Sequence, residues 1–200
     1  IRPQRAFYEK YPDYSSFNIN TDQKLDINQH YLTISFPCYE FALTSQRKRH
    51  LLGFVTSMIA SSQYQNSILW KRLREELGIV YGVNCWSHSM FNRSFVAVET
   101  SFNPEHLETV IKEIYDGINS VIEGKFNDEI FKTRQKRIID TELMRYDNPG
   151  NVLSWIVDQE DEMAIHGENL NIGEYIDLIS NYEYSDVVAA AKETFDWNKA

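Results

Sequence analysis

Two side chains in the middle of the sequence, Arg74 and Tyr81, could act together on a carbonyl group. Residues 66–77 predict a short helix with Arg74 in its last turn, and Gly78 ends that helix. Tyr81 follows in a strand-like run, and the glycine turn folds this strand back toward the helix. The guanidinium and the phenol are therefore expected to converge near a sheet edge. Two fixed hydrogen-bond donors in that position suit a carbonyl or a developing oxyanion.

A purely structural interpretation of the same two residues is also open. Arg74 would then complement the dipole at the C-terminus of the helix, and Tyr81 would be half buried in the strand. Residue type and spacing alone favour this structural interpretation over a functional one.

The strands that would frame the pair are indicated by alternating apolar and polar residues. The predicted strands cover residues 30–36, 79–87 and 94–102. The last two are close enough in the chain to pair as an antiparallel hairpin. Strict alternation in the second strand places Tyr81, Val83 and Cys85 on one side.

Apolar residues at three- and four-residue spacing predict helices over most of the remaining chain. The clearest helix begins at Pro104 and ends at Gly124, and Thr44 is the predicted N-cap of the first helix. The other predicted helices cover residues 45–59, 66–77, 128–146, 152–164 and two segments within 173–195. This order of elements predicts an α+β fold, an antiparallel or mixed sheet covered on one face by helices.

The chain of 200 residues is expected to contain one domain with an entry segment. Residues 1–27 show no regular spacing of apolar residues and are predicted to be a linker or tail. Residues 28–200 are predicted to form a single α+β domain.

The net charge of −9 comes from residues 158–200, which contain 11 acidic and 2 basic residues, while the rest of the chain has 18 of each. This distribution argues against a nucleic-acid-binding surface. No uncharged apolar run approaches the ~20 residues that a membrane-spanning helix needs.

Other reactive residue types do not form a recognisable motif. None of the five histidines begins an H-E-x-x-H or H-x-x-E-H sequence, so no metal site is expected in this chain. Cys38 and Cys85 lie in apolar strand-like runs and are expected to be buried thiols without a disulfide. Two basic clusters are predicted to be solvated helix faces. They are Arg47, Lys48, Arg49 with His50, and Lys132, Arg134, Lys136, Arg137.

The segment 67–83 resembles the second-domain signature of the pitrilysin/insulinase family of zinc metallopeptidases, which includes mitochondrial processing peptidase. Family members there read approximately S-R-L-F-x-x-L-R-E-x-x-G-L-A-Y-S-V. The matching residues are Ser67, Leu69, Leu73, Arg74, Glu75, Gly78, Tyr81 and Val83. The chain departs from the pattern at Ile68, where the family usually has arginine, and at 61–65, which lacks the usual glycines. The resemblance covers about residues 28–197.

The resemblance implies a metal-free, C-terminal domain of the LuxS/processing-peptidase type within a longer chain, and the sheet is expected to lack its last strand. Zinc would be held by an H-x-x-E-H helix in another domain of the same chain or of a partner chain, in a homo- or heterodimer. The residues matching Arg74 and Tyr81 would reach the peptide substrate near the scissile carbonyl. This domain alone would have no peptidase activity, and catalytic residues would lie elsewhere.

Two other functions remain open at this point. One is a structural or partner-binding subunit that has lost peptidase activity, which Ile68 and the missing glycines favour. The other is a free-standing module that binds extended peptides at a sheet edge. The chain begins at Ile1 and shows no basic-then-apolar signal segment, so the compartment is not deduced from this end. A cytoplasmic location is the favoured expectation.

Overall fold

The computed structural model describes residues 29–38, 44–90 and 93–200. The predicted linker at 1–27 and most of the predicted turn near 91–93 lie outside the described residues. Within the described part, no helix is long and apolar enough to cross a membrane.

Three strands of the described residues form one antiparallel sheet in the order β1-β3-β2. They are β1 (His30–Pro37), β2 (Val80–Met90) and β3 (Arg93–Phe102). Ile34 of β1 lies opposite Val98 of β3, which in turn lies opposite Cys85 of β2. The predicted strands and the antiparallel hairpin are therefore confirmed, with β2 extending three residues beyond its predicted end.

The helices follow the predicted order with shifted boundaries. They are α1 (Gln46–Ile59), a π-helix (Trp70–Glu76), α2 (Leu107–Ile122), α3 (Asp128–Arg145), α4 (Pro149–His166), α5 (Ile172–Ser180) and α6 (Tyr184–Thr194). A 3₁₀ turn at Pro104–His106 precedes α2.

Two helix starts differ from the prediction because of local capping. Ser45, not Thr44, caps α1, and its hydroxyl accepts a hydrogen bond from the Lys48 backbone N–H. The Asn148-Pro149-Gly150 sequence separates α3 from α4, and α4 begins at Pro149, three residues before the predicted start at residue 152. The Asn148 side chain accepts from the Gly150 N–H at 2.8 Å, and Pro149 occupies a first-turn position that proline tolerates.

The core lies between one face of the sheet and the helices. Phe36, Val98 and Cys85 point into it from the three strands, and the α2 stripe of Val110, Ile114, Ile118 and Val121 is fully buried. Cys85 is buried as predicted, whereas Cys38 is partly exposed.

The end of the chain closes one side of this core. The ring of Phe36 packs edge-on against Phe195 and Trp197 with centroids 5.1 and 5.0 Å away. The indole N–H of Trp197 donates to the Asn119 side chain of α2 at 3.2 Å. The predicted α+β architecture, with a small antiparallel sheet and helices packed on it, is confirmed.

Candidate functional site

Arg74 and Tyr81 lie together at the exposed edge of the sheet. One guanidinium nitrogen of Arg74 donates to the backbone carbonyl of Val80 at 3.2 Å. The guanidinium carbon lies 5.5 Å from the centroid of the Tyr81 ring, within the range of a cation–π contact. The structure thus brings together the two residues that the sequence singled out.

Arg74 is carried by a π-helix, not by the α-helix that the sequence predicts. The Leu77 N–H donates to the carbonyl of Arg72, five residues earlier, at 3.1 Å. The Ile79 N–H then donates to the carbonyl of Leu73, also at 3.1 Å. π-Helical turns are rare in proteins, and a large share of those that do occur lie at functional sites. Propensity and periodicity could not show them, because the apolar spacing of a short π-helix is close to that of an α-helix.

Gly78 makes the return from the π-helix to the strand possible. Its φ of 65° lies in the left-handed region, where an L side chain would be strained. This matches the expectation that a glycine stop folds the strand back. Two residues later, β2 begins at Val80, whose carbonyl receives the Arg74 hydrogen bond.

Tyr81 points outward because β2 contains a bulge at its start. Val80 lies opposite Phe102 and Val83 opposite Thr100, so Tyr81 and Gly82 together face a single residue of β3. The Thr100 hydroxyl donates to the carbonyl of Gly82 at 2.8 Å and ties the bulge to the next strand. Such bulges change the direction of a side chain and often lie beside active sites.

The bulge corrects two expectations about this strand. Val80, not Tyr81, joins Val83 and Cys85 on the buried face, because the additional residue interrupts the strict alternation. Tyr81 is 75% exposed, so it is not the half-buried residue of the structural interpretation. Sequence alternation cannot detect a single inserted residue of this kind.

An ion-pair network anchors the π-helix to α2. The Arg72 guanidinium donates to both carboxylate oxygens of Glu113, at 2.8 and 3.0 Å, and to Glu76 at 3.0 Å. These bonds from Arg72 lower the pKa of Glu113. The bidentate geometry fixes the orientation of the pair, although both Arg72 and Glu76 are solvent exposed.

A close contact between Gly117 of α2 and Leu69, the residue before the π-helix, also holds the π-helix against α2. A Cβ placed on Gly117 of α2 would lie 2.4 Å from a methyl carbon of Leu69, which is fully buried. Only glycine therefore allows this approach of the two helices. Sequence reasoning missed Arg72, Glu113 and Gly117, although a glycine inside an amphipathic helix is a signal of close packing.

The prediction that the two basic clusters are solvated is wrong for three of their members. The side chain of Arg134 is fully buried, with its guanidinium carbon 3.7 Å from the centroid of the Tyr64 ring. Arg49 is buried in an ion pair with Glu162 of α4, and its neighbour His50 is half buried. These partners are distant in the chain, so charge patterning along one helix could not indicate them.

The described residues do not provide a metal site: nowhere in that part do three His, Cys, Asp or Glu side chains come together in a suitable group. The site is instead an exposed pair of hydrogen-bond donors on an unusual backbone. Chemically, it can bind and polarise an oxygen atom.

The comparisons with solved structures show which proteins share this fold. A protease from Helicobacter pylori superposes with a TM-score of 0.75 at 14% identity, covering 88% of this chain and 41% of its own. The peptidase M16 inactive domain from Pseudomonas fluorescens gives a TM-score of 0.68 at 15% identity, covering 86% of this chain and 39% of its own. This chain thus spans about two fifths of the length of those two chains.

A third structure has nearly the same extent as this chain. A candidate zinc protease from Bordetella pertussis Tohama I gives a TM-score of 0.65 at 11% identity, covering 88% of this chain and 92% of its own. No curated protein sequence matches the chain. The family model described as the peptidase M16 inactive domain matches residues 4–138. The chain therefore belongs to the family of peptidase M16 inactive domains.

Proposed function

We propose that this chain is the non-catalytic C-terminal domain of a zinc-dependent metalloendopeptidase. It binds a peptide substrate and orients the scissile carbonyl for hydrolysis at a zinc site in another domain or chain. The observation that carries the proposal is the placement of Arg74 beside the exposed Tyr81.

The two side chains have donors to spare for a substrate. A guanidinium has five N–H donors, and the contact with the Val80 carbonyl uses one nitrogen of Arg74. The phenol of Tyr81 adds an O–H donor from an exposed ring. Both donors can therefore reach one carbonyl oxygen of an extended peptide and stabilise negative charge that develops on it.

The backbone of the site supports this function because it holds the donors in place before substrate arrives. Arg74 is held by the Val80 carbonyl, the π-helix by the Arg72–Glu113 pair, and the bulge by Thr100. Donors that need no reorganisation stabilise a transition state better than mobile ones.

Zinc, when bound in the other domain, would supply the hydrolytic chemistry. The described residues of this chain do not fit a zinc site, so their part is limited to binding and orientation. Since the chain spans about 40% of the Helicobacter and Pseudomonas chains, we place the zinc-bearing domain in the same longer chain or in a partner within a homo- or heterodimer. A cytoplasmic location is part of the same proposal.

A photo-crosslinking experiment tests the substrate contact directly. Tyr81 is replaced by p-benzoylphenylalanine in the assembled peptidase, which is then irradiated with a non-cleavable extended peptide. Tyr31 serves as the matched control, because it is 76% exposed on β1 at the opposite edge of the sheet. We expect peptide labelling from position 81 and much less from position 31. Equal labelling from both positions, or none from 81, would refute the proposed contact.

A structural or partner-binding subunit is the second candidate, favoured by Ile68. This side chain stands where the family usually has arginine, and it packs against the core and against α2 at Gly117. A residue that packs internally offers nothing to a substrate. On this alternative, crosslinking from position 81 would capture a partner protein and not the peptide.

A further inference from the structure

One cavity among the described residues is lined mainly by polar and charged side chains and lies away from the proposed peptide site. It has a volume of about 470 Å³, is partly open, and is lined by residues of α1, α3, α4 and α5 and by Leu170, with neither Arg74 nor Tyr81 in its lining. Small-molecule sites typically have volumes of roughly 300–1,000 Å³. This cavity is thus large enough for a ligand the size of an amino acid.

One side of the cavity carries a hydrogen-bond network within the protein. The Gln46 amide donates to the Gln159 side-chain oxygen at 3.3 Å, and the backbone N–H of Leu170 donates to both side chains. Arg49 is bound to Glu162 and to the Thr44 carbonyl. These bonds shape the cavity from within the protein. Glu162 Oε2 has no hydrogen bond among the described residues, but it lies 3.6 Å from His166 Nε2.

Elsewhere in the lining, one buried atom of Glu142 and one of His50 have no hydrogen bond among the described residues. Glu142 is 6% exposed, and its Oε1 pairs with Arg145 at 3.1 Å while its buried Oε2 has no hydrogen bond within the described structure. The buried Nε2 of His50 also has none there. Burial and the charges of Arg49 and Arg145 lower the pKa of His50 to about 4, so the ring is neutral at pH 7. A carboxylate oxygen and a neutral imidazole nitrogen can both accept a hydrogen bond.

The charges of the side chains that line the cavity favour a cationic ligand over an anionic one. Both arginines in the lining are paired, Arg49 with Glu162 and Arg145 with Glu142. Asp158 and Asp161, exposed in the lining, form no ion pair with any basic side chain among the described residues. An anionic ligand would therefore meet unbalanced negative charge, whereas a cation would neutralise it.

Two aromatic residues complete the environment. Trp155 lines the cavity, and so does Tyr175, whose ring packs against His50 with centroids 4.5 Å apart. Aromatic walls suit the alkyl part of an organic cation and attract its charge.

We propose that this cavity binds a small organic cation, an alkylammonium or alkylguanidinium group, whose N–H groups donate to Glu142 Oε2 and His50 Nε2. Trp155 and Tyr175 line the alkyl part, and Asp158 and Asp161 attract the charge. The same chemistry is present in a free amine and in the basic side chain of a peptide.

Isothermal titration of the full chain tests this site with agmatine as the cation and N-butylurea as a neutral probe of similar shape. We expect saturable binding of agmatine at one site and none of the urea. Glu142→Gln should weaken agmatine binding about tenfold or more, since it removes a charged hydrogen-bond acceptor. Glu129→Gln, the same change at an exposed position of α3 outside the cavity, should leave the affinity unchanged.

A second variant keeps the test valid if Glu142→Gln does not fold. The double change Asp158→Asn with Asp161→Asn alters exposed residues only, and it should weaken agmatine binding several-fold and reduce its salt dependence. Titration with Gly-Arg-Gly distinguishes the two sources of the cation. Binding of this peptide assigns the site to the basic side chain of a peptide, whereas binding of agmatine without binding of the peptide assigns it to a free amine. Absence of agmatine binding, or equal binding of the urea, would overturn the proposal.

Discussion

The guanidinium of Arg74 lies 5.5 Å from the ring centroid of Tyr81, and it reaches this position by donating to the carbonyl of the residue before that tyrosine. Tyr81 follows Arg74 by seven positions in the sequence. The chain from one to the other contains the end of a π-helix, a left-handed glycine and the start of a β-bulge. Each of these features is uncommon, and together they present two donors to solvent.

The close approach at Gly117 predicts a strong effect of adding one methyl group. Gly117→Ala would force the buried Leu69 side chain out of its position and should destabilise the protein by roughly 1–3 kcal/mol. Gly53→Ala, in α1, is the matched control because nothing lies within 4 Å of its added Cβ. It should be neutral or stabilise by up to about 1 kcal/mol.

Urea unfolding of the two glycine variants measures this difference. Leu69→Ala is itself destabilising because it empties a fully buried position, but it also removes the atoms that clash, so the double variant with Gly117→Ala should lose less stability than the sum of the two single losses. Equal free energies of unfolding for the Gly117 and Gly53 variants would contradict the packing described here.

We expect the burial of His50 to make the free energy of unfolding depend on pH. Its pKa is about 4 in the folded protein because of burial and the charges of Arg49 and Arg145, against about 6.5 in an unfolded chain. The unfolded state therefore binds more protons between these values, so stability is full above pH 6.5 and falls as the pH falls toward 4. The contribution of this one residue is on the order of 3 kcal/mol.

Unfolding at pH 7.5 and at pH 4.5 isolates this contribution. His50→Gln should lose less stability between the two pH values than the unsubstituted protein does. His30→Gln, at an exposed position of β1, should retain the full loss. An unchanged pH dependence in the His50 variant would show that the imidazole is not desolvated.

We expect substitutions of Arg134 and Tyr64 to have strongly coupled effects on stability. Burial lowers the pKa of Arg134 to about 10, and the three guanidinium nitrogens have no hydrogen bond within the described structure. The Tyr64 ring at 3.7 Å is its main compensation. Tyr64→Leu should therefore destabilise by about 2 kcal/mol, whereas Arg134→Met should be nearly neutral or stabilising.

A double-mutant cycle on this pair gives the coupling free energy. The combined Tyr64→Leu and Arg134→Met variant should be more stable than Tyr64→Leu alone, because it no longer buries an uncompensated charge. Additive effects of the two substitutions would mean that the ring contributes nothing to the burial of Arg134.

The periodic elements could be predicted from the sequence and the aperiodic ones could not. The α2 stripe from Val110 to Val121 and the alternation from Ser94 to Phe102 indicate amphipathic faces, and the structure confirms both. The approach of Arg74 to Tyr81 followed from a glycine at the helix end. The bulge at Gly82 follows from a hydrogen bond to Thr100, 18 residues away, which no local pattern records. The burial of Arg134 depends in the same way on a ring in a distant loop.

The most direct test of the proposed role of this domain is turnover of an extended peptide by the assembled zinc peptidase carrying Arg74→Ala or Tyr81→Phe. Arg47→Ala and Tyr31→Phe, at exposed positions on α1 and β1, are the matched controls. Loss of a donor to the developing oxyanion predicts that kcat falls by about 10²–10³ in each site variant, with zinc content and the free energy of unfolding unchanged. Turnover at the level of the unsubstituted enzyme in both site variants would contradict the assignment of Arg74 and Tyr81 to the substrate carbonyl.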